Sequence, residues 1–170
     1  IDDFTKEEAN ELYRTVSLGA LKYFILKVDP KKQMMFNPEE SIDFNGNTGP
    51  FIQYTYARIQ SILRKAALEN DHYSINFESL KLEVKEKALL KQLANYPMLI
   101  KQAADNYSPS QVANYVFDLV KEYNKFYQEH SILKEEDTQK QTFRVQLSEQ
   151  VAQVIASGMG ILGIQVPARM

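Results

Sequence analysis

The residues best suited to catalysis are few and scattered in this sequence. His72 and His130 are isolated from each other, and the chain has no cysteine. The helix dipole is a sufficient reason for a histidine such as His130 at a predicted helix carboxy terminus. The carboxylates occur in runs beside lysines, which is typical of solvated helix faces rather than of buried acid–base pairs. We therefore expect no catalytic residue and no metal site.

Motifs that bind nucleotides or activate a nucleophile do not support catalysis either. The sequence has no GxxxxGK[ST] loop, no GxSxG elbow and no HExxH helix. Residues 46–49, GNTG, are too few for a phosphate-binding loop and are not followed by lysine. The absence of cysteine excludes disulfides, zinc–thiolate sites and iron–sulfur clusters. The chain on its own is not expected to catalyse a reaction.

Contact with nucleic acid is suggested by the polar face of a helix that follows Pro50. Tyr54, Arg58, Ser61 and Lys65 are spaced i, i+4, i+7 and i+11, opposite the apolar stripe of that helix. Cationic and hydroxyl side chains can bind phosphates, and a ring can stack on a base. A solvated helix face has the same pattern and, on the pattern alone, is the simpler interpretation.

A second polar face lies on the helix that begins at Ser108. Phe117, Lys121, Asn124 and Gln128 lie away from its apolar stripe. A phenylalanine beside amide and ammonium groups suits unstacked RNA bases, which are bound by stacking and by hydrogen bonds to base edges. It suits a neighbouring helix equally well, and both interpretations stay open.

Size and charge limit the class of protein. The chain has 170 residues, 44% of them hydrophobic, and a formal net charge of −2. This length fits one domain, or one domain with part of another. With no domain-wide basic field, non-specific binding to duplex DNA is not expected. No apolar run approaches the roughly 18 residues of a membrane span, and no secretory signal is visible. The missing initiator methionine indicates processing, trimming or a fragment of a longer protein.

Helical periodicity runs through most of the chain, and no strand-type alternation persists. Asn37 and Pro38 form a helix-start signal, and Pro97 should interrupt a helix. The apolar stripe of the Ser108 helix is predicted to be buried and comprises Val112, Tyr115, Val116, Leu119, Val120, Tyr123, Phe126 and Tyr127. The predicted helices cover residues 5–28, a short turn after 37, residues 51–69, 80–93, the stretch after 97, residues 108–130 and a last helix after a charged connector at 134–140.

These elements predict an all-α fold. We expect a bundle of about five main helices, preceded by a helix-plus-loop segment. The chain should loosen at residues 157–160, SGMG, into a short apolar tail. The loop at 43–50, with two glycines and a proline, is the natural boundary, so the predicted domains are residues 1–49 and 50–170.

Five sequence segments, in order, resemble arginyl-tRNA synthetases. Residues 46–59, GNTGPFIQYTYARI, are similar to the G-x-T-G-P-[YF]-[ILV]-Q-Y-x-x-x-R segment of that family. Residues 17–24, SLGALKYF, resemble its G-A-[VL]-[KR]-[YF] helix, and 123–127, YNKFY, its F-N-x-F-Y run. Residues 144–147, RVQL, and 162–170, LGIQVPARM, resemble the start of its last helix and its terminus. The resemblance covers essentially the whole chain.

The resemblance implies a fragment of a larger enzyme. Residues 1–49 would end the class I catalytic body, and residues 50–170 would form the helical anticodon-binding domain of DALR type. The parent would be a cytoplasmic, monomeric arginine–tRNA ligase that joins arginine to its tRNA with ATP and magnesium. The nucleotide-binding motifs of that family lie upstream and do not occur here. The chain should therefore bind arginine-specific tRNA, without a cofactor of its own, and should bind neither membrane nor DNA.

The resemblance also implies a set of tRNA-binding residues. The 46–58 segment would lie near the inner corner of the L-shaped tRNA, while the 124–127 helix and the 167–170 tail would surround the anticodon loop. Periodicity opposes part of this, because Tyr123, Phe126 and Tyr127 lie on the stripe that should be buried. The predicted tRNA contacts are Asn47, Gln53, Tyr54, Arg58, Phe117, Asn124, Tyr127, Arg169 and Met170.

Two other functions remain as alternatives. Exposed aromatic faces without a basic field also fit a helical protein–protein interaction module that binds no nucleic acid. Abundant carboxylates allow a small helical enzyme, with much weaker support. Binding to tRNA, capture of a protein partner without RNA, and ATP turnover would distinguish the three.

Overall fold

The computed structural model describes residues 4–69, 75–78 and 80–170, and within them the fold is all-α, as predicted. These ranges contain five long helices and one of four residues. His72 and most of the predicted connector at 70–79 lie outside the described residues. The helices are α1 (Lys6–Leu26), α2 (Pro38–Ser41), α3 (Gly49–Glu69), α4 (Val84–Asp105), α5 (Pro109–Glu129) and α6 (Thr138–Ile161).

Local capping explains where three of these helices begin. Thr5 and Glu8 form a reciprocal capping box at the start of α1. The Asn37 side chain accepts hydrogen bonds from the amides of Glu39 and Glu40, which confirms the predicted start of α2. Asp137 caps α6 in the same way, so the end of the predicted connector is already helical.

Helix α5 is the centre of the bundle and confirms most of the predicted stripe. Leu119, Val120, Tyr123 and Phe126 are completely buried. They pack in one core with side chains of α3, α4 and α6. Tyr127 is the exception, because its side chain is 39% exposed at the edge of the stripe. The periodicity therefore predicts the buried face correctly, except that it includes Tyr127.

Helix α4 corrects the predicted break at Pro97. It runs without interruption from Val84 to Asp105, with Pro97 exposed inside it. A proline in a helix interior costs about 3 kcal/mol, partly through the lost amide hydrogen bond. Packing on both sides of the proline offsets this cost: Tyr96 stacks on Tyr115 of α5 at 5.5 Å between ring centroids, and Ala103 is buried. The helix also begins later than residue 80.

Helix α6 corrects a second prediction, because residues 157–160 remain helical. Gly158 lies against α5: a Cβ atom there would be 2.5 Å from Val116 Cγ2, and the next residue, Met159, is completely buried. Gly158 therefore allows close packing, and neither it nor Gly160 loosens the chain. Residues 158–163 also have the spacing GxGxxG, but they end a helix and do not follow a strand, so they are no dinucleotide-binding turn.

A buried ion pair joins α4 to α6. Arg144 Nε donates to Glu86 Oε1 at 2.7 Å, and both side chains are almost inaccessible to solvent. The same guanidinium donates to the Ser131 carbonyl at 2.7 Å and to the Glu135 carboxylate. The other Glu86 oxygen accepts from the Glu83 amide at 2.7 Å. The connector between α5 and α6 is thereby tied to the bundle.

Helices α1 and α3 approach so closely that two glycines are required. A Cβ atom on Gly49 would lie 2.6 Å from the Gly19 carbonyl oxygen, and one on Gly19 would lie 2.4 Å from the Gln53 amide nitrogen. Real Cβ atoms essentially never come within 3.0 Å of another heavy atom, whether it is the backbone oxygen of Gly19 or the side-chain Nε2 of the buried Gln53. Two of the motifs that resemble synthetases therefore meet here. The division into domains 1–49 and 50–170 stays a prediction, and α1 packs against α3 and α5 across it.

Gly49→Ala should destabilise the fold, because the new methyl group would push α1 and α3 apart. We expect the free energy of unfolding in urea to fall by about 1–3 kcal/mol, as in overpacked cores. Gly160→Ala is the matched control, since a Cβ there would meet nothing within 4 Å. Alanine should stabilise that helix by roughly 0.5–1 kcal/mol. Equal stability of the Gly49→Ala protein and the unchanged protein would contradict the close approach.

Arg144→Met should cost about 3–5 kcal/mol, because it leaves the Glu86 carboxylate buried without its counter-ion. Adding Glu86→Leu should recover most of that loss, since an apolar pair of similar volume often replaces a buried ion pair at little cost. Urea unfolding of both single variants and the double variant measures the coupling. Strictly additive losses would show that the two side chains do not act as a pair.

Candidate nucleic-acid interface

The guanidinium of Arg58 on α3 lies over two tyrosine rings. Its guanidinium carbon is 4.9 Å from the centroid of Tyr54, one turn earlier on α3, and 5.2 Å from that of Tyr127 on α5. Both rings are partly exposed, Tyr54 at 44% and Tyr127 at 39%. A guanidinium over an aromatic face is attracted by the ring quadrupole. The arrangement presents a fixed cation and two accessible rings on one surface.

Asn124 of α5 fixes the direction of that guanidinium. Its Oδ1 accepts from Arg58 Nη1 at 2.9 Å, and its Nδ2 donates to Thr55 Oγ1 at 3.0 Å. Thr55 in turn donates to the Phe51 carbonyl at 3.0 Å. Both ends of the amide are therefore occupied by α3. In this geometry Asn124 holds Arg58 in place, and it is not available to read the edge of a base.

Three shallow depressions surround this cluster, and Arg58 lines all of them. No aspartate or glutamate side chain is among the described residues that line them. A depression beside α1 contains Glu11, by contrast, and one at the start of α6 contains Glu83 and Asp137. The other basic residues around Arg58 are Arg64, Lys65, Lys121, Lys125, His130, Lys134 and Arg169.

Aromatic groups continue from the cluster toward the loop before α3. The ring of Phe44 meets Tyr54 edge-on, with 6.4 Å between centroids, and is 48% exposed. Phe44, Tyr54, Lys121 and Lys125 line the same depression. Exposed rings beside cations provide both stacking and phosphate contacts for single-stranded nucleic acid.

The chain after α6 reaches the same surface. Arg169 and Met170 line a depression together with Tyr54 and Arg58. The Arg169 guanidinium carbon lies 4.6 Å from the ring centroid of Phe4, the residue before the N-cap of α1. The structure thus brings together six of the nine predicted contacts, namely Tyr54, Arg58, Asn124, Tyr127, Arg169 and Met170.

Phe117 and Gln53 do not form part of this surface. Phe117 is partly buried in the core against Phe51, at 5.8 Å between ring centroids, so the neighbouring-helix interpretation describes it. Gln53 is completely buried, and its amide nitrogen donates to the backbone carbonyls of Thr15 and Gln165. Phe117 was predicted from its position away from the apolar stripe, and Gln53 from the motif. Both side chains are engaged in contacts within the fold.

Asn47 joins the loop before α3 to α1 and α5. Its Oδ1 accepts from the Tyr23 hydroxyl at 2.6 Å, and its backbone carbonyl accepts from Lys27 Nζ at 2.9 Å. The Tyr23 hydroxyl also lies 3.0 Å from the Ala113 carbonyl oxygen. Burial raises the pKa of Tyr23 above its usual range, and the nearby Asp118 carboxylate adds to this. Asn47 therefore anchors the loop from a partly buried position.

Sequence reasoning missed three residues that border the surface. In the sequence, Phe44 belongs to a turn-forming loop and Lys134 to a charged connector, and neither pattern indicates a binding site. Arg64 lies between Ser61 and Lys65 of the predicted polar face, and that proximity is the one signal that could have identified it. His130 is the C-cap residue of α5, and its ring packs on the Phe126 ring with 5.5 Å between centroids.

Two general findings concern metals and membranes. The part of the chain that the structure describes contains no group of three or more histidine, aspartate or glutamate side chains that could hold a metal ion. None of its helices combines the length and the hydropathy that crossing a membrane would require.

Sequence comparison agrees with the resemblance seen in the five segments. The arginine–tRNA ligase of Flavobacterium psychrophilum is 61% identical to this chain over 170 residues, and that of Bacteroides thetaiotaomicron is 57% identical over 171 residues. Both comparisons cover the whole chain, which spans only 28% and 29% of the length of these relatives.

Solved structures agree as well. Arginyl-tRNA synthetase of Thermus thermophilus superposes with a TM-score of 0.88 and 30% identity, over 99% of this chain and 29% of that one. The Plasmodium falciparum arginyl-tRNA synthetase has a TM-score of 0.78 over 94% of this chain and 28% of that one, and its 24% identity supports the fold alone. A profile of the DALR anticodon binding domain matches residues 52–170, so the chain belongs to the DALR anticodon-binding domain family.

Proposed function

We propose that this chain is the tRNA-recognition module of an arginine–tRNA ligase and binds arginine tRNA at its anticodon. The observation that carries the proposal is the Arg58 guanidinium, which lies over the rings of Tyr54 and Tyr127 and lines three depressions that also contain other basic side chains. Family membership and the high identity to arginine–tRNA ligases support the choice of RNA over a protein partner.

The parts of the surface have different roles in this proposal. Arg58 binds a phosphate, because only one of its five N–H groups is engaged by Asn124 and no other described residue accepts from it. Tyr127 and Tyr54 stack on unpaired bases, which is how proteins commonly bind single-stranded loops. Asn124 positions Arg58. Arg169 and Met170 cover a neighbouring nucleotide from the tail.

The catalytic part of the reaction belongs to the rest of the parent enzyme in this proposal. There the parent joins arginine to its tRNA, using ATP and magnesium. The residues of this chain do not fit those groups, because they form neither a phosphate-binding loop nor a cluster of metal ligands among the described residues. We assign the parent to the cytoplasm as a monomer.

The proposal is tested by binding of arginine tRNA, the same tRNA with a swapped anticodon, and an unrelated tRNA. We expect the first to bind most tightly, and the anticodon swap to remove the preference. Equal affinity for all three would contradict anticodon recognition. Capture of a protein partner by a chain that binds no tRNA would instead favour the protein–protein interaction module.

Arg58→Gln should weaken binding of all three tRNAs and should reduce the slope of log affinity against log salt by about 1, since one phosphate contact is lost. Lys91→Gln, an exposed position on α4, is the matched control because it changes the net charge by the same amount. Fluorescence anisotropy at several salt concentrations measures both slopes. A change of equal size in the two variants would mean that only the overall charge matters.

Tyr127→Leu should weaken binding of arginine tRNA by about 1–3 kcal/mol, the usual worth of a base stacked on an aromatic ring, and should leave the salt slope unchanged. Tyr127→Phe keeps the ring and should retain most of the affinity. If the leucine and phenylalanine variants bind equally well, Tyr127 does not stack on a base.

A further inference from the structure

The chain after α6 is held by side chains of two other helices. We call residues 162–170 the terminal strap. Lys22 Nζ of α1 donates to the Gly163 carbonyl at 2.6 Å, Gln53 Nε2 of α3 to the Gln165 carbonyl at 2.8 Å, and Arg64 Nη1 of α3 to the Ala168 carbonyl at 3.1 Å. These three donors bind the backbone of the strap, while its Leu162 and Ile164 side chains are buried in the core. No hydrogen bond of this set involves a side chain of the strap itself.

Gln53 is the central donor and the only one of the three that is completely buried. Its amide nitrogen also donates to the Thr15 carbonyl of α1 at 3.2 Å, so that a single amide group bridges α1 and the strap. The missing side chain of Gly19 leaves the space through which this amide reaches, since a Cβ there would lie 2.4 Å from Nε2. Both amide hydrogens are thus used for positioning.

The strap carries Arg169 and Met170 to the depression that they share with Tyr54 and Arg58. Its end is steadied by Phe4, over whose ring the Arg169 guanidinium lies. We propose that Gln53 is a positioning residue: it ties the strap to α1, and this tie places Arg169 and Met170 at the RNA-binding surface. The consequence for RNA rests on the proposed function, whereas the tie itself does not.

The tie can be tested without RNA, through methionine methyl groups. In the whole chain labelled with ¹³C-methyl methionine, Gln53→Leu should move the Met170 resonance toward its position in an unfolded chain. Met159 is completely buried in the core and is the internal control, so its resonance should stay in place. An unchanged Met170 resonance, or an equal shift of both resonances, would overturn the proposal.

Gln53→Asn provides a second variant, in case Gln53→Leu does not fold. Its amide is one methylene shorter, so it should not reach both the Thr15 and the Gln165 carbonyls. We expect a shift of Met170 in the same direction, again without movement of Met159. A Met170 resonance unaffected by Gln53→Asn would overturn the proposal where Gln53→Leu cannot be measured.

Binding of arginine tRNA tests the functional consequence. Gln53→Leu should weaken it as much as the double change Arg169→Ala and Met170→Ala does, and the triple variant should show no further loss. Additive losses would mean that Gln53 acts elsewhere. The outcome is separate from that of Arg58→Gln: if Arg58→Gln has no effect while Met170 moves, the proposed function fails and the tie stands.

Discussion

The burial of one face of α5 is the constraint on which the rest of the structure depends. Tyr123 and Phe126 are completely buried, which fixes the rotation of the helix about its axis. Each further residue turns by about 100°, so Asn124 and Tyr127 must emerge at the edge that faces α3. Arg58 meets them there. The cation, its two rings and its amide partner are therefore positioned by core packing and not by a loop.

A protein with a net charge of −2 can still present a cationic surface, because no acid is among the described residues that line the depressions around Arg58. Of the nearby acids, Glu86 is buried with Arg144, and Glu122 and Glu129 both lie within 4 Å of Lys85. Glu122 also lies 3.3 Å from Lys125 and partly neutralises that lysine. At physiological ionic strength charges act over about 8 Å. The potential felt by a bound phosphate thus depends on the basic residues around Arg58 more than on the total charge.

Much of the fold could be predicted from the sequence because it follows helical periodicity. The same is true of the site residues that face solvent. Tyr54 and Arg58 share the polar face of α3, and a 3.6-residue period is enough to find them. The roles of Gln53 and Asn47 depend on contacts with residues distant in the chain, and periodicity contains no information about those contacts. Pro97 was misread for the same reason: local propensity argues for a break, and packing on α5 overrides it.

The residues that resemble a known motif therefore divide into two groups with different physical roles. Within the 46–58 segment, Tyr54 and Arg58 face solvent and can contact RNA, while Asn47 and Gln53 hydrogen-bond to α1 and to the strap. A buried amide that loses its partners costs more free energy than an exposed one, since water cannot replace them. In the proposed function the first group acts through contact with RNA, and the second through the position of Arg169 and Met170. Some residues of such a motif hold helices together, and others are exposed and can bind a ligand.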